Sequence, residues 1–519
     1  MSHGLLMVRV AGFGLLLLAS MTLAAESKTG WSEVKSPHVT VKTDLGLDAA
    51  ERAAVLAEKT RSQLLAAAWG GAKLPQERIE LVVFADHQDF EHYFGDFVAH
   101  KVGVGDYPPT VFLYGAPERW EKRSSAELQE TTSVLKLALA QHLASFFFRR
   151  QPRWFSVGLA EFFETLRVSD DGTRATMAAI NPQAMGNYVT HRAVTVAEAL
   201  AWGSTLNPHD EPTLLGLHGL SWLMVQWMYN THQPEFVRFQ KLLVSGMDPT
   251  KAWNLVLPKE VTDNIDRELN HFAQYGPFGM ATVALPEGDF TFDSERPMTS
   301  AEVHVIRAEA ALAAERPKEV QTELSAALAD DPGNVAALRR QMALVKPEER
   351  LALARRATAA HPNDGLAWLI LGDALKEGAE TSDERMQAYQ RAVQLSPDHP
   401  LVSNALASMD IQKGKPQEAL PLALIAVRMA PWDAVLLDTL SAALAGVGRC
   451  SEAVAMQARA MDRAAENGSA TQRAAYATRL TDIQKSCTEA SPAPVAPEVP
   501  APPAVPAAPA APSPIPPRR

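Results

Sequence analysis

Between residues 299 and 487 the chain repeats itself at a period of about 34 residues, alanine-rich and marked at its intervals by Pro332, Pro362, Pro397 and Pro431. The spacings sit near that period, with one short unit. The third unit shows the pattern most clearly. Trp368, Leu371, Gly372 and Leu375 fall on the face of one helix, and Ala388, Tyr389, Ala392 and the closing Pro397 mark a second. A unit of this length is a pair of antiparallel helices that cannot bury its own apolar face. Neighbouring pairs must stack, and the stack winds into a superhelix with a concave side. Small residues stand where two helices have to approach closely: Ala308, Ala327, Ala357, Ala392, Ala407, Ala419, Ala426 and Ala460. An unrelated alanine-rich bundle is the alternative, and the evenly recurring prolines argue against it.

Over about 190 residues this half resembles the tetratricopeptide repeat (TPR) family. The resemblance implies an all-α TPR superhelix whose inner surface takes a protein or peptide partner. On that reading the candidate partner-binding residues are Arg339, Arg340, Trp368, Asn404 and Asp438 at first-helix positions, with packing the favoured role for Trp368. A helix over 471–485, with Arg473, Arg479, Asp482 and Lys485 on one side, is expected to cap the open end.

The ends of the chain point to export. A weak basic start (Arg9), an apolar run over 10–18 and the small residues before Glu26 read as a signal peptide over residues 1–25, giving a periplasmic or otherwise exported protein. If the signal were left uncleaved it would be a membrane anchor, although the run is short for a span of about 20 residues. The only cysteines, Cys450 and Cys487, are expected to form a disulfide in that compartment; two unrelated thiols are the alternative. Residues 488–519 are mostly Pro and Ala, expected to be disordered and extended, a spacer or a ligand for a proline-recognition module. The formal net charge of −11 repels phosphate backbones, so no nucleic-acid partner is expected.

Residues 31–285 have a mixed pattern. Strands are expected over 35–43, 78–84 and 109–115, with helices over 47–69 and 126–149. The Pro- and Asp-containing stretch 286–298 reads as a linker to the repeats. Within the first domain, Pro152, Trp154, Gly158, Leu159, Ala160, Glu161, Phe162, Phe163 and Glu164 form a run that resembles the second motif of peptidase MA-like gluzincins.

That resemblance implies a zincin-like α+β domain, with an HExxH helix just upstream whose two histidines face one metal from one helix side. Here the HExxH positions read Ala138-Leu139-Ala140-Gln141-His142, and the ligand position before Gly158 is Val157. Only the second histidine survives. Apolar side chains neither hold zinc, which normally takes three protein ligands, nor accept a proton from bound water. Glu161, 19 positions after His142, stands where some related enzymes place their third ligand. Ala138, Leu139, His142, Val157 and Glu161 are thus vestigial metal-site positions, with no catalytic residue and no cofactor expected. A second candidate cluster, His87, Glu91, His92, His100 and Asp106, is thin.

The resemblance also covers the buried helix over 216–230 and the turn over 246–252. The function expected of the whole is a non-catalytic protein-interaction scaffold of the cell envelope with a pseudopeptidase domain. The alternative is a zinc-dependent metallopeptidase with a non-standard ligand set.

Overall fold

The computed structural model describes residues 30–489, apart from 73–77, 96–100, 104–106, 124–130, 149, 207, 209, 289, 376–381 and 468. The expected signal peptide and nearly all of the expected tail lie outside the described residues, as do His100 and Asp106.

The first half is organised by a six-stranded sheet in the order Ser294–Pro297, Ser32–Lys35, Val39–Thr43, Ile79–Phe84, Thr110–Tyr114, Lys101–Gly103. Its three inner strands run parallel, so that Val41, Leu81 and Val111 lie side by side. The flanking pairs are antiparallel. Every residue of Ile79–Phe84 is buried, because this strand is covered on both faces. Side chains alternate across a strand. Leu81 and Val83 therefore join Val111 and Leu113 in a core shared with helices Leu47–Trp69, Val134–Phe147, Arg153–Glu164 and Glu211–Thr231. Val82, Phe84 and Phe112 point the other way, onto Trp31, Phe90, Met298, Val303, Ile306 and Ala310.

That second cover corrects the reading of 286–298 as a linker. Ser294–Pro297 pairs antiparallel with Ser32–Lys35 at the sheet edge. Arg296 donates to Glu33 Oε1 at 2.9 Å and to both carboxylate oxygens of Glu302. Met298 and the first repeat helix, Ser300–Ala313, then lie on the sheet itself. The strand's own side chains are exposed, so backbone pairing at a free edge recruits it. A second difference concerns the helix expected over 126–149. The chain forms the strand Thr131–Ser133 first, and the helix starts at Val134 under a cap from Ser133.

Helix Glu211–Thr231 runs through the middle of this half, burying Leu217, Leu220, Trp222, Leu223, Met224 and Trp227. It crosses Arg153–Glu164 at very short range. A Cβ at Gly158 would stand 2.2 Å from the Ser221 carbonyl oxygen. The glycine of the gluzincin-like run thus has a packing reason: only a hydrogen there lets the two backbones meet.

From residue 300 the chain is helical, in antiparallel pairs: Ser300–Ala313 with Pro317–Asp330, Val335–Leu344 with Pro347–Ala360, Gly365–Ala374 with Ser382–Leu395, Pro400–Gln412 with Pro416–Met429, and Ala434–Gly446 with Cys450–Asn467. Ala470–Glu489 closes the series. Local chemistry sets the boundaries. Pro317, Pro347 and Pro416 take first-turn positions of second helices, where a missing N–H is no loss. Asn334, Asp364 and Asp433 cap the first helices. The small residues named above, Ala308 through Ala460, are all at most 2% exposed. At Gly372 a Cβ would meet the Tyr389 ring at 2.2 Å. Among the described residues no helix is long and apolar enough to cross a membrane.

Candidate functional site

Among the helices of the middle repeats lies a cavity of about 390 Å³ lined by, among others, Arg339, Asp373, Arg385, Tyr389, Asn404 and Gln412. Helices Val335–Leu344, Gly365–Ala374 and Pro400–Gln412 supply its inner wall, and Ser382–Leu395 its floor. Tyr389 Oη donates to Asp373 Oδ1 at 2.8 Å. Arg385 Nε donates to the Gly372 carbonyl, and its guanidinium stands 5.9 Å from the Tyr389 ring centroid. Burial pushes the Asp373 carboxyl above the usual carboxylate range, opposed by the tyrosine hydrogen bond and by the charges of Arg385 and Arg339. Burial and the neighbouring Asp373 hold the Tyr389 phenol protonated well beyond its ordinary range. Asn404 Oδ1 is buried with no hydrogen-bond partner. It belongs to a residue that lines a polar pocket, and a buried acceptor left unpaired carries the cost of its desolvation.

Of the five residues proposed from the sequence, the structure brings Arg339 and Asn404 into this pocket. Arg340 turns to Glu309 at 3.2 Å. Trp368 donates from Nε1 to the Pro362 carbonyl at 2.8 Å and packs among the repeat cores. Asp438 sits at the far end, accepting from Gln457 and paired with Arg479 at 3.0 Å. Asp373 and Tyr389 were not foreseen as polar groups. The signal was present in the pairing of Gly372 with Tyr389, which places the phenol at the pocket floor.

The positions read from the sequence as a vestigial metal site sit elsewhere. Ala138 and Leu139 are 3% and 1% exposed, in the main core, and Val157 packs against that core. His142 lies on the outer side of the same helix, its ring 5.2 Å from Phe146 and 5.5 Å from Trp432 of the repeats. Its Nε2 is buried without a partner. Burial, with a lesser push from Arg61, lowers its pKa to about 3, so the ring is neutral at ordinary pH.

Glu161 has different company. Its Oε1 accepts from His218 Nδ1 at 2.7 Å, while Oε2 is buried and unpartnered. Burial raises this carboxyl against the lowering effect of His218. His87 faces Glu91 at 3.8 Å and His92 faces Glu319 at 2.9 Å. Among the described residues no group of three His, Cys, Asp or Glu side chains is placed to hold a metal ion. Among the described residues the donors therefore do not make up the usual three protein ligands of zinc. Cys450 is disulfide-bonded; the side chain of Cys487 lies outside those described.

His142 also marks a second meeting of the two halves. Phe146 and Trp432 pack edge to face at 5.3 Å. Arg150 Nη2 donates to Asp462 Oδ1 at 2.9 Å and to Asp248 Oδ2 at 3.1 Å. The rings of Tyr107 and His399 lie 5.5 Å apart. The repeats leave the first domain at the sheet and return to it at the His142 helix.

A model of a protein family of unknown function, DUF1570, matches residues 141–249. No curated protein matches the chain. Several solved structures align with parts of it. TTC0263, a thermophilic TPR protein of Thermus thermophilus, is 18% identical with a TM-score of 0.30, covering 35% of this chain and 99% of its own. PilF of Pseudomonas aeruginosa is 17% identical with a TM-score of 0.28, covering 37% and 88%. Yeast Tom70 is 12% identical with a TM-score of 0.28, covering 67% and 69%. At such scores the hairpin architecture stands on this chain's own helix pairs.

Proposed function

We propose that this chain is an exported, non-catalytic scaffold that holds a protein partner in the inner pocket of tetratricopeptide-type hairpins, with a degenerate peptidase MA-like domain as its base. The observation that carries the reading is the polar cavity of Arg339, Asp373, Tyr389 and Asn404, in which a buried amide oxygen has no partner. A solenoid of helix pairs offers such a surface to an extended or helical segment. Hydrocarbon at positions 138 and 139, packed into the core, supports the pseudopeptidase half.

A photo-crosslinking residue placed at Ser408, on the pocket wall, tests this in cells with the full chain. One discrete adduct is expected, lost on Asn404→Lys while the unfolding midpoint stays within a few degrees. An adduct pattern indifferent to Asn404→Lys and to Arg339→Glu would sink it.

The zinc-peptidase reading retains one favourable observation, the unpartnered Glu161 Oε2. Stoichiometric zinc in protein purified without chelator, lost on His142→Ala or Glu161→Gln, would bring that reading back.

A further inference from the structure

On the first domain, away from the repeat pocket, four side chains from three separate elements form a cluster built largely of hydrogen-bond donors. Arg153 opens the helix Arg153–Glu164, and its guanidinium lies 4.7 Å over the Trp202 ring. His218, from Glu211–Thr231, sets its ring 5.5 Å from the same indole. Glu161, two turns along from Arg153, holds His218 through Nδ1 at 2.7 Å.

The local backbone is shaped to this arrangement. Gly203 has φ +85°, and a Cβ there would press on the Arg153 stem at 3.1 Å. The arginine is thus sandwiched between a glycine and an indole. Trp202 is 2% exposed, yet its Nε1–H has no acceptor. Arg153 has no carboxylate partner among the described residues, and the His218 side chain is 42% exposed.

We propose that Arg153, Trp202 and His218 form a binding site for a carboxylate-bearing ligand. A buried N–H without an acceptor is costly to leave unmade, and here it belongs to the indole that both the guanidinium and the imidazole touch. A guanidinium held over an aromatic ring spends none of its N–H donors on that contact, and their fork matches the two oxygens of a carboxylate. Glu161 acts as a positioning residue. Accepting from Nδ1, it fixes the imidazole ring, and in the imidazolium form the Nε2–H is left to donate to the ligand. The site is independent of the scaffold reading, since none of its residues lines the repeat pocket.

The test uses the full chain with ¹³Cε1-labelled histidine, the His218 resonance being assigned by its loss in His218→Gln. Sodium acetate is the probe, titrated at constant ionic strength. A saturable shift of His218 is expected, with affinity at least tenfold weaker in Arg153→Met and intermediate in Arg153→Lys, which keeps the charge without the fork. Glu161→Gln is expected to broaden or move the His218 signal before any acetate is added.

A linear, unsaturable response, or an Arg153→Met protein that titrates like the wild type with an unchanged unfolding midpoint, would overturn the site. Inorganic phosphate binding in place of acetate would overturn the carboxylate assignment. Should Arg153→Met fail to fold, the comparison of wild type with Arg153→Lys still decides.

Discussion

The two places where the repeats meet the first domain are made of different materials. At the near junction, Met298, Val303, Ile306 and Ala310 complete a hydrophobic core with Val82, Phe84, Phe90 and Phe112 of the sheet. At the far junction the contacts are a half-buried Trp432 against Phe146 and a neutral imidazole, plus one arginine between two aspartates. Apolar burial is worth about 25 cal/mol per Å² and is indifferent to salt and pH. Exposed or partly exposed ion pairs are worth about 0–1 kcal/mol and depend on both. The near junction therefore makes the first hairpin part of the sheet's folding unit. The far one is a contact that can open while both halves stay folded.

The largest effect is expected at Ile306, which is 1% exposed. Ile306→Ala removes side-chain volume from the shared core, and buried truncations of this kind cost about 2–5 kcal/mol. Urea unfolding should show the loss. Tryptophan fluorescence, dominated by the first half, and helical circular dichroism, dominated by the second, should shift together. Two separated transitions in the variant, with the tryptophan one unmoved, would show that the near junction does not couple them.

Trp432→Ala should cost less, about 1–3 kcal/mol, since an aromatic pair adds about 0.5–1.5 kcal/mol beyond its area. The sharper signature is local. Hydrogen exchange should quicken at the end of the His142 helix and in Ala434–Gly446, while Ile79–Phe84 keeps its protection. Faster exchange spread over the sheet would contradict the contrast between the junctions.

What the sequence reveals divides along the same line. The hairpins are legible because their determinants are local: a proline on the first turn, Asn334, Asp364 or Asp433 at the cap, and alanine at each close crossing. The apolar strand Ile79–Phe84 is equally plain. The edge strand Ser294–Pro297 is not, because all four residues are exposed and the backbone pairing and Arg296 ion pairs that hold it reach across the chain to Ser32–Lys35 and to Glu302.

The far junction is hidden for another reason. The meeting of His142 with Trp432 joins residues far apart in the chain, which no local window contains. In the sequence Trp432 merely follows the boundary residue Pro431. At the candidate sites, Arg339 and Asn404 follow from their first-helix positions, whereas the partner of Glu161 is His218, 57 residues away.

His142 gives the far junction a pH dependence of known sign. Its folded pKa of about 3 lies below the ordinary value of 6.5, so the unfolded chain takes up the proton more readily than the native one. The contribution is whole above pH 6.5 and is lost progressively as pH falls toward 3, reaching up to about 2 kcal/mol of destabilisation at pH 5. His142→Leu, which keeps the bulk without the proton site, should flatten stability between pH 7 and pH 5 relative to the wild type. An unchanged slope would mean that the imidazole already reaches water.

The smallest effect belongs to the ion pair. Arg150 has a side chain 12% exposed, but Asp462 is 43% exposed, so screening takes much of the attraction. A double-mutant cycle of Arg150→Met with Asp462→Asn should return a coupling of about 1 kcal/mol in low salt, shrinking toward zero in 0.5 M NaCl, a Debye length of about 4 Å. The residual in high salt reports the hydrogen bonds from the guanidinium to Asp462. A coupling above about 3 kcal/mol that ignores salt would place the pair in a dry interface. The far junction would then resemble the near one, and the two halves would unfold together.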